Sequence, residues 1–252
     1  MTNKKLLPLF VSARRSSWRM IDWHADEGDR RYASIRKQVL ERDGFACGYC
    51  GFRSKKYQHV HHLNHDHGSL RLDNLVTACP LCHQCFHLGL AGVKSSGLMI
   101  YATEFSQAEI NNMARACFIA VYRGGSNAES AQDLYEALRE RRILVEDLFG
   151  PGSTNPSFFG QAFVEMRPEI YAERKSKLPG LRLLPKMEAF GKEIVFWDSD
   201  SDTYGLHPDT EWNKFSQKAE VSIDFAVQQT ANSSLVDESD DFERLEQEDK
   251  PF

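Results

Sequence analysis

The sequence predicts an α+β fold: a small zinc-held unit over residues 30–90, packed with a mainly helical portion over 91–198. Three observations predict it. Four cysteines stand as two C-x2-C pairs, Cys47/Cys50 and Cys79/Cys82, with 28 residues between the pairs. Each C-x-x-C turn aims two thiolates at one point, so two such turns close a tetrahedral zinc site, and the long gap demands a folded element between them. The stretch "YQHVHHL" inside that gap is rich in residues that tolerate a strand. From residue 106 onward, apolar residues recur at helical spacing behind capping signatures.

Cysteine use and charge narrow the setting. Five of the six cysteines fall between 47 and 85, a density that in a cytosolic chain of this size means metal rather than disulfide. The sixth, Cys117, lies in an apolar helical pattern and is expected to be a small core residue. The opening "MTNKKLLPLFVSARR" has two lysines before a short apolar run, with no convincing small-residue cleavage motif. No apolar run approaches the roughly 20 residues that span a bilayer. The expectation is a cytoplasmic protein. Net charge is −5, but residues 30–87 hold nine lysines and arginines against four acidic residues, a local +5 that permits contact with phosphate.

In chain order, the segment 1–29 precedes "RRYASIRKQVLER", a helix over 30–42 with Tyr32, Ile35 and Val39 at helical spacing before the turn at Asp43-Gly44. "FACGYCG" reads as a metal-binding knuckle, its glycines letting the backbone curl around sulfur. "NHDHGS" turns the strand, a short strand or loop follows from Leu75, and a helix starts near Pro80. Ser106 with Glu109 forms a capping box for a helix through Ile110, Met113, Cys117 and Val121, stopped by Gly124-Gly125. A second helix is expected from Ser126 with Glu129 through Leu134, Leu138 and Val145 to Gly150, and a third behind Asn155-Pro156. Pro168, Pro179 and Pro185 break the rest into shorter pieces before an amphipathic stretch near 186–197. Residues 199–252 read as an acidic, flexible tail, with eight acidic against two basic residues over 231–252.

Seven of the nine histidines lie between 59 and 87. His83 and His87 are four apart and share a face if helical, so both can ligate one ion. His61 and His62 are adjacent and point oppositely in a regular strand; they serve one site only where the strand ends or twists. Asn74 is placed to fix the intervening loop or to orient a histidine. His59, His65 and His67 are expected to be exposed bystanders, and Cys85 to face the core.

A basic helix, a C-x-x-C knuckle, a His-His pair, an Asn and then C-x-x-C-H-x3-H resembles the HNH, or ββα-metal, endonuclease family over about 55 residues. The resemblance implies a catalytic role for His62 as general base, with Asn74 bracing the loop. It also implies that His61, His83 and His87 hold a divalent ion (Mg²⁺, Mn²⁺, Ni²⁺ or Zn²⁺) at the scissile phosphate of DNA. A neutral imidazole takes water's proton near pH 7 while a metal stabilises charge on the phosphate. The glycine pair usual before the Asn segment is absent, Gly68 alone standing nearby.

A second resemblance spans about residues 17–186. "SSWRMIDW", "RDGFACGYCGFRSKKYQ", "RLDNLVTACPLCHQCF", "LMIYATEFSQAEIN", "SAQDLYEALRERRILVEDLFG", "NPSFFGQ" and "LRLLP", in that order, are similar to the IcmJ/DotN family of type IVB (Dot/Icm) secretion systems. That resemblance implies an HNH-like domain recruited as a scaffold, with Cys47, Cys50, Cys79 and Cys82 on a structural zinc. It further implies a place in the coupling complex, peripheral to the inner membrane, binding the coupling ATPase's C-terminal segment beside adaptor subunits. The full nuclease set of His61, His62, Asn74, His83 and His87 is a departure from that family. It keeps open a metal-dependent endonuclease, and both readings hold together in a conjugation system that moves DNA.

Overall fold

In the computed structural model, which describes residues 5–13, 30–66 and 68–199, helix α1 (Arg30–Arg42) buries Val39 and Leu40 against Val60 and Leu75 of a small hairpin. Ile35 and Phe45 fill the edges of that cluster. The helix ends at Gly44, where the Phe45 N–H turns back onto Leu40 O at 2.8 Å. Arg42 reaches Leu72 O and Leu75 O at 2.6 and 2.7 Å, and Asp43 accepts from the Thr77 N–H, so the end of α1 is tied to the hairpin.

The knuckle at 47–51 follows. Gly51 takes a left-handed φ of 76°, and a Cβ at Gly48 would lie 2.5 Å from Val76 Cγ2, so both glycines are required by the curl. Strand β1 (His59–His62) pairs antiparallel with β2 (Leu75–Ala78), His61 opposite Val76 and His62 opposite Leu75. Helix α2 (Pro80–His83), a 3₁₀ turn (Gln84–Phe86) and helix α3 (Leu88–Val93) complete a ββα arrangement.

The helical portion holds a second sheet that the periodicity did not indicate: β3 (Gly97–Tyr101) runs antiparallel to β4 (Leu181–Pro185), with Met99 opposite Leu183. Helix α4 (Gln107–Arg123) begins with the expected capping box and packs against α5 (Ser126–Glu140) and β4. It buries Ile110, Met113, Cys117 and Phe118, and each large apolar side chain so enclosed is worth roughly 1.5–3 kcal/mol.

The expected single helix from Ser126 to Gly150 is two helices. Arg141 breaks it because its carbonyl accepts from Tyr101 N–H of β3 and its buried guanidinium pairs with Glu104; α6 (Arg142–Phe149) starts afresh. Gly125, not Ser126, caps α5, so Ser126 and Glu129 do not form a capping box. Helix α7 (Pro156–Glu165) has its Asn155 cap as expected. It lies so close to α3 that a Cβ at Gly160 would meet Gly89 N at 2.5 Å. Short helices α8 (Pro168–Ala172) and α9 (Arg174–Lys177) lead to β4, and α10 (Gly191–Ser199) closes over α4 through buried Ile194 and Trp197.

Residues 5–13 are built into the structure. Leu7 N–H donates to Gly48 O, Ser12 N–H to Cys85 O, and Leu88 N–H to Ser12 O, while Tyr171 Oη and Arg174 Nε reach Ala13 O and Val11 O. The rest of the 1–29 segment, His67 and the acidic tail from residue 200 lie outside the described residues.

Candidate metal centre

The four paired cysteines converge. Cys47 and Cys50 come from the knuckle; Cys79 caps α2 just after β2, and Cys82 sits one turn into it. All four are buried, and their sulfurs lie within 4.8 Å of one another. The Cys50 and Cys79 sulfurs are 3.7 Å apart, matching the edge of about 3.8 Å that four Zn–S bonds of ~2.3 Å generate in a tetrahedron. Donor type, number and spacing all fit zinc.

Helix α4 covers this centre with polar groups that the cysteine and histidine spacing does not indicate. The Arg115 guanidinium donates to Cys79 Sγ at 3.5 Å and Cys50 Sγ at 3.6 Å, and lies 3.7 Å over the Phe52 ring. Asn111 Nδ2 donates to Cys82 Sγ at 3.3 Å and to Cys85 Sγ at 3.8 Å. The Cys50 thiol is held well below its ordinary range by hydrogen bonds from Cys47, Cys79 and Cys82, with Arg115 assisting, whereas burial pushes Cys79 and Cys82 up. Burial works against the charge on Arg115, but the sulfurs of Cys50, Cys79 and Cys82 outweigh it. Cys85 faces the core as expected, pushed up to about 12 by burial. A signal for the α4 residues exists in the sequence: Gln107, Asn111 and Arg115 repeat at i, i+4, i+8 on a helix otherwise buried through apolar side chains.

A second group forms beside the first. Ring nitrogens of His61, His83 and His87 lie within 4.8 Å of one another. His83 and His87 do not share one helical run, because α2 gives way to the 3₁₀ turn at Gln84; their rings still approach to 4.9 Å. Tyr49, between the knuckle cysteines, rests its ring on His61 and Phe86, and so links the two groups.

The remaining histidines divide differently from expectation. His61 and His62 both lie in regular strand, so they point to opposite faces: His61 stacks on Phe86 at 3.9 Å, and His62 stacks on Tyr32 of α1 at 6.3 Å. His59 is no exposed bystander. It stands in β1 with its ring parallel to His83 at 4.9 Å, and burial pushes it down to about 4. With His83, His87, Lys94, Phe190 and Glu193 it lines a cavity of about 180 Å³. His65, at a left-handed φ of 60°, brings its ring to 5.2 Å from His61.

Asn74 closes the loop between the strands. Its Nδ2 donates to Asn64 Oδ1 at 2.9 Å and Ser69 O at 3.1 Å, and its Oδ1 accepts from the Asn64 N–H at 3.1 Å. One asparagine amide thereby holds the loop's ends together.

Residues 47–88 match the HNH endonuclease family, a span that contains both cysteine pairs and all three converging histidines. The type 4 apparatus protein DotN of Legionella pneumophila is 34% identical over 197 residues, covering 77% of this chain and 91% of that protein. That likeness extends far past the 47–88 segment into the helical portion, and the chain belongs to the family of the type 4 apparatus protein DotN.

Proposed function

We propose that the chain is a zinc-held scaffold in a type IV secretion apparatus, docking on the coupling ATPase's C-terminal segment beside adaptor subunits. The observation that carries this reading is the extent of the likeness to DotN: it spans 91% of that protein, not the HNH segment alone. A minimal nuclease has no use for α4 to α10, whereas a scaffold uses their surface. Zinc at Cys47, Cys50, Cys79 and Cys82 supplies folding free energy, because the ligands converge only in the folded chain. Among the described residues no helix is long and apolar enough to cross a membrane, so association with the cytoplasmic side of the inner membrane runs through partners. Calorimetric titration of the coupling ATPase's C-terminal segment into the purified chain tests the proposal. Saturable one-to-one heat supports it, and its absence for the cognate pair overturns it.

A second reading has its own observation. His61, His83 and His87 can hold a divalent ion with coordination positions left open, an arrangement that suits hydrolysis of a DNA phosphodiester. In that reading Asn74 fixes the loop, and His62, stacked on Tyr32 on the face away from His61, has to turn toward the ion to serve as the base. Plasmid nicking with Mg²⁺, Mn²⁺ or Ni²⁺, run beside His62→Ala, is the test: cleavage lost in the variant supports it, and equal cleavage removes His62 from the mechanism.

A further inference from the structure

Four thiolates around one Zn²⁺ carry a formal charge of about −2. Here that charge is buried among Cys47, Cys50, Cys79 and Cys82, and a buried charge is costly unless it is paired and hydrogen-bonded. The pairing comes from outside the HNH segment. Arg115 is 3% exposed and permanently cationic, and it donates to one cysteine of each pair, Cys50 and Cys79. It is fixed in that pose from two sides. Asn112 Oδ1 accepts from its Nη1 at 2.8 Å, and the Phe52 ring lies beneath the guanidinium, with Trp197 edge-on to Phe52 and its own ring 5.7 Å from the guanidinium.

One turn earlier, Asn111 donates to Cys82, and its own Oδ1 accepts from Gln107 Nε2 at 3.0 Å. Gln107 in turn exchanges hydrogen bonds with both the N–H and C=O of Leu183 in β4. Three buried polar side chains on one helix face, hydrogen-bonded except at Arg115 Nε, therefore run from the sulfurs to the second sheet. A helix that only packed on the zinc unit would present apolar side chains there.

We propose that Arg115 is the counter-charge of the cysteine centre and, with Asn111, sets its zinc affinity from α4. Both are positioning residues, and the inference rests on zinc occupying the four cysteines. It makes the helical portion an integral part of the metal site: residues 47–88 hold every ligand but lack the charge that balances them.

The test is zinc affinity of the full chain by competition with a chromophoric chelator, for wild type, Arg115→Met, Arg115→Lys and Asn111→Asp. Outer-shell partners typically govern about 10- to 100-fold in metal affinity, and Arg115→Met should lose that much. Arg115→Lys keeps the charge and should lose only a few-fold, and Asn111→Asp, nearly isosteric, should lose at least about 10-fold by adding a like charge. Cobalt in place of zinc gives a readout that packing alone does not move. Its thiolate-to-metal charge-transfer band should shift to lower energy in Arg115→Met, where sulfurs lose N–H donors, and stay near wild type in Arg115→Lys.

Met and Lys variants that lose affinity equally, or a Met variant at wild-type affinity with an unmoved band, overturn the proposal. If Arg115→Met is not recovered folded, Arg115→Lys and Asn111→Asp decide: both at wild-type affinity overturns it. A wild-type chain that holds no metal at the cysteines also overturns it, and that outcome is distinguished by the missing metal in the wild-type control.

Discussion

His61 and His62 are consecutive residues on opposite faces of the hairpin, His61 stacked on Phe86 beside His83 and His62 stacked on Tyr32 beneath α1. The two rings therefore answer to different neighbours. His61→Ala is expected to abolish binding of a divalent ion at the histidine group, whereas His62→Ala should keep it. Both rings are buried, so each substitution should also lower stability by roughly 1–3 kcal/mol. Metal content after dialysis, measured beside urea unfolding, separates the two outcomes. Loss of the ion in both variants would contradict the opposed geometry.

Zinc should matter for folding before anything else. Cys47→Ser and Cys79→Ser each remove one ligand from a buried set of four and are expected to release metal and reduce soluble yield. Elemental analysis and thermal unfolding check this directly. Retention of one full zinc equivalent with an unshifted melting temperature in both variants would refute the four-cysteine assignment.

Helices α3 and α7 touch backbone to backbone at Gly89 and Gly160. Ordinarily Gly→Ala inside a helix gains stability, by about 0.5–1 kcal/mol. At Gly160 the new methyl would meet backbone atoms of Gly89 at 2.5 and 2.8 Å, which cannot swing aside as a side chain can. Gly160→Ala is therefore expected to destabilise by about 1–3 kcal/mol, the usual cost of overpacking. A denaturant midpoint at or above wild type would show that the helices separate freely.

Burial pushes the Cys117 thiol from 9.0 up to about 12. The unfolded chain ionises this thiol at its ordinary value. The stability it supports is thus complete below about pH 9 and is lost as pH rises through about 12. Cys117→Ala should cost about 1 kcal/mol at pH 7 through its small cavity, with the deficit shrinking at pH 10. Urea midpoints at the two pH values give the comparison, and a deficit that does not change with pH contradicts it.

What could be read from the sequence was local. The capping box at Ser106, the Asn155-Pro156 cap and the convergence of two C-x2-C turns each depend on residues a few positions apart. The pairing of β3 with β4 joins residue 97 to residue 185, and neither strand alternates in a way that betrays a partner that far along the chain. Arg141 ends a helix through bonds to Tyr101 and Glu104, groups about forty residues upstream. Arg115 carries only the i, i+4, i+8 spacing it shares with Gln107 and Asn111, which marks a polar stripe on the helix and not the metal centre that the stripe meets. The His61 and His62 separation was legible in principle from strand alternation, but it needed the strand to stay regular through both residues.

The threading of residues 5–13 sets an order of assembly. This segment is made before most of its hydrogen-bond partners, which include Cys85, Leu88, Tyr171 and Arg174. Until residue 174 has been made, Leu9, Val11 and Ala13 have no complete bed to settle into, and their apolar surface must wait in water or in a chaperone. The earliest of these residues to be synthesised are thus among the last to lock. A pause in translation before that point would leave a chain whose zinc-binding hairpin can close while its amino-terminal strap still hangs open.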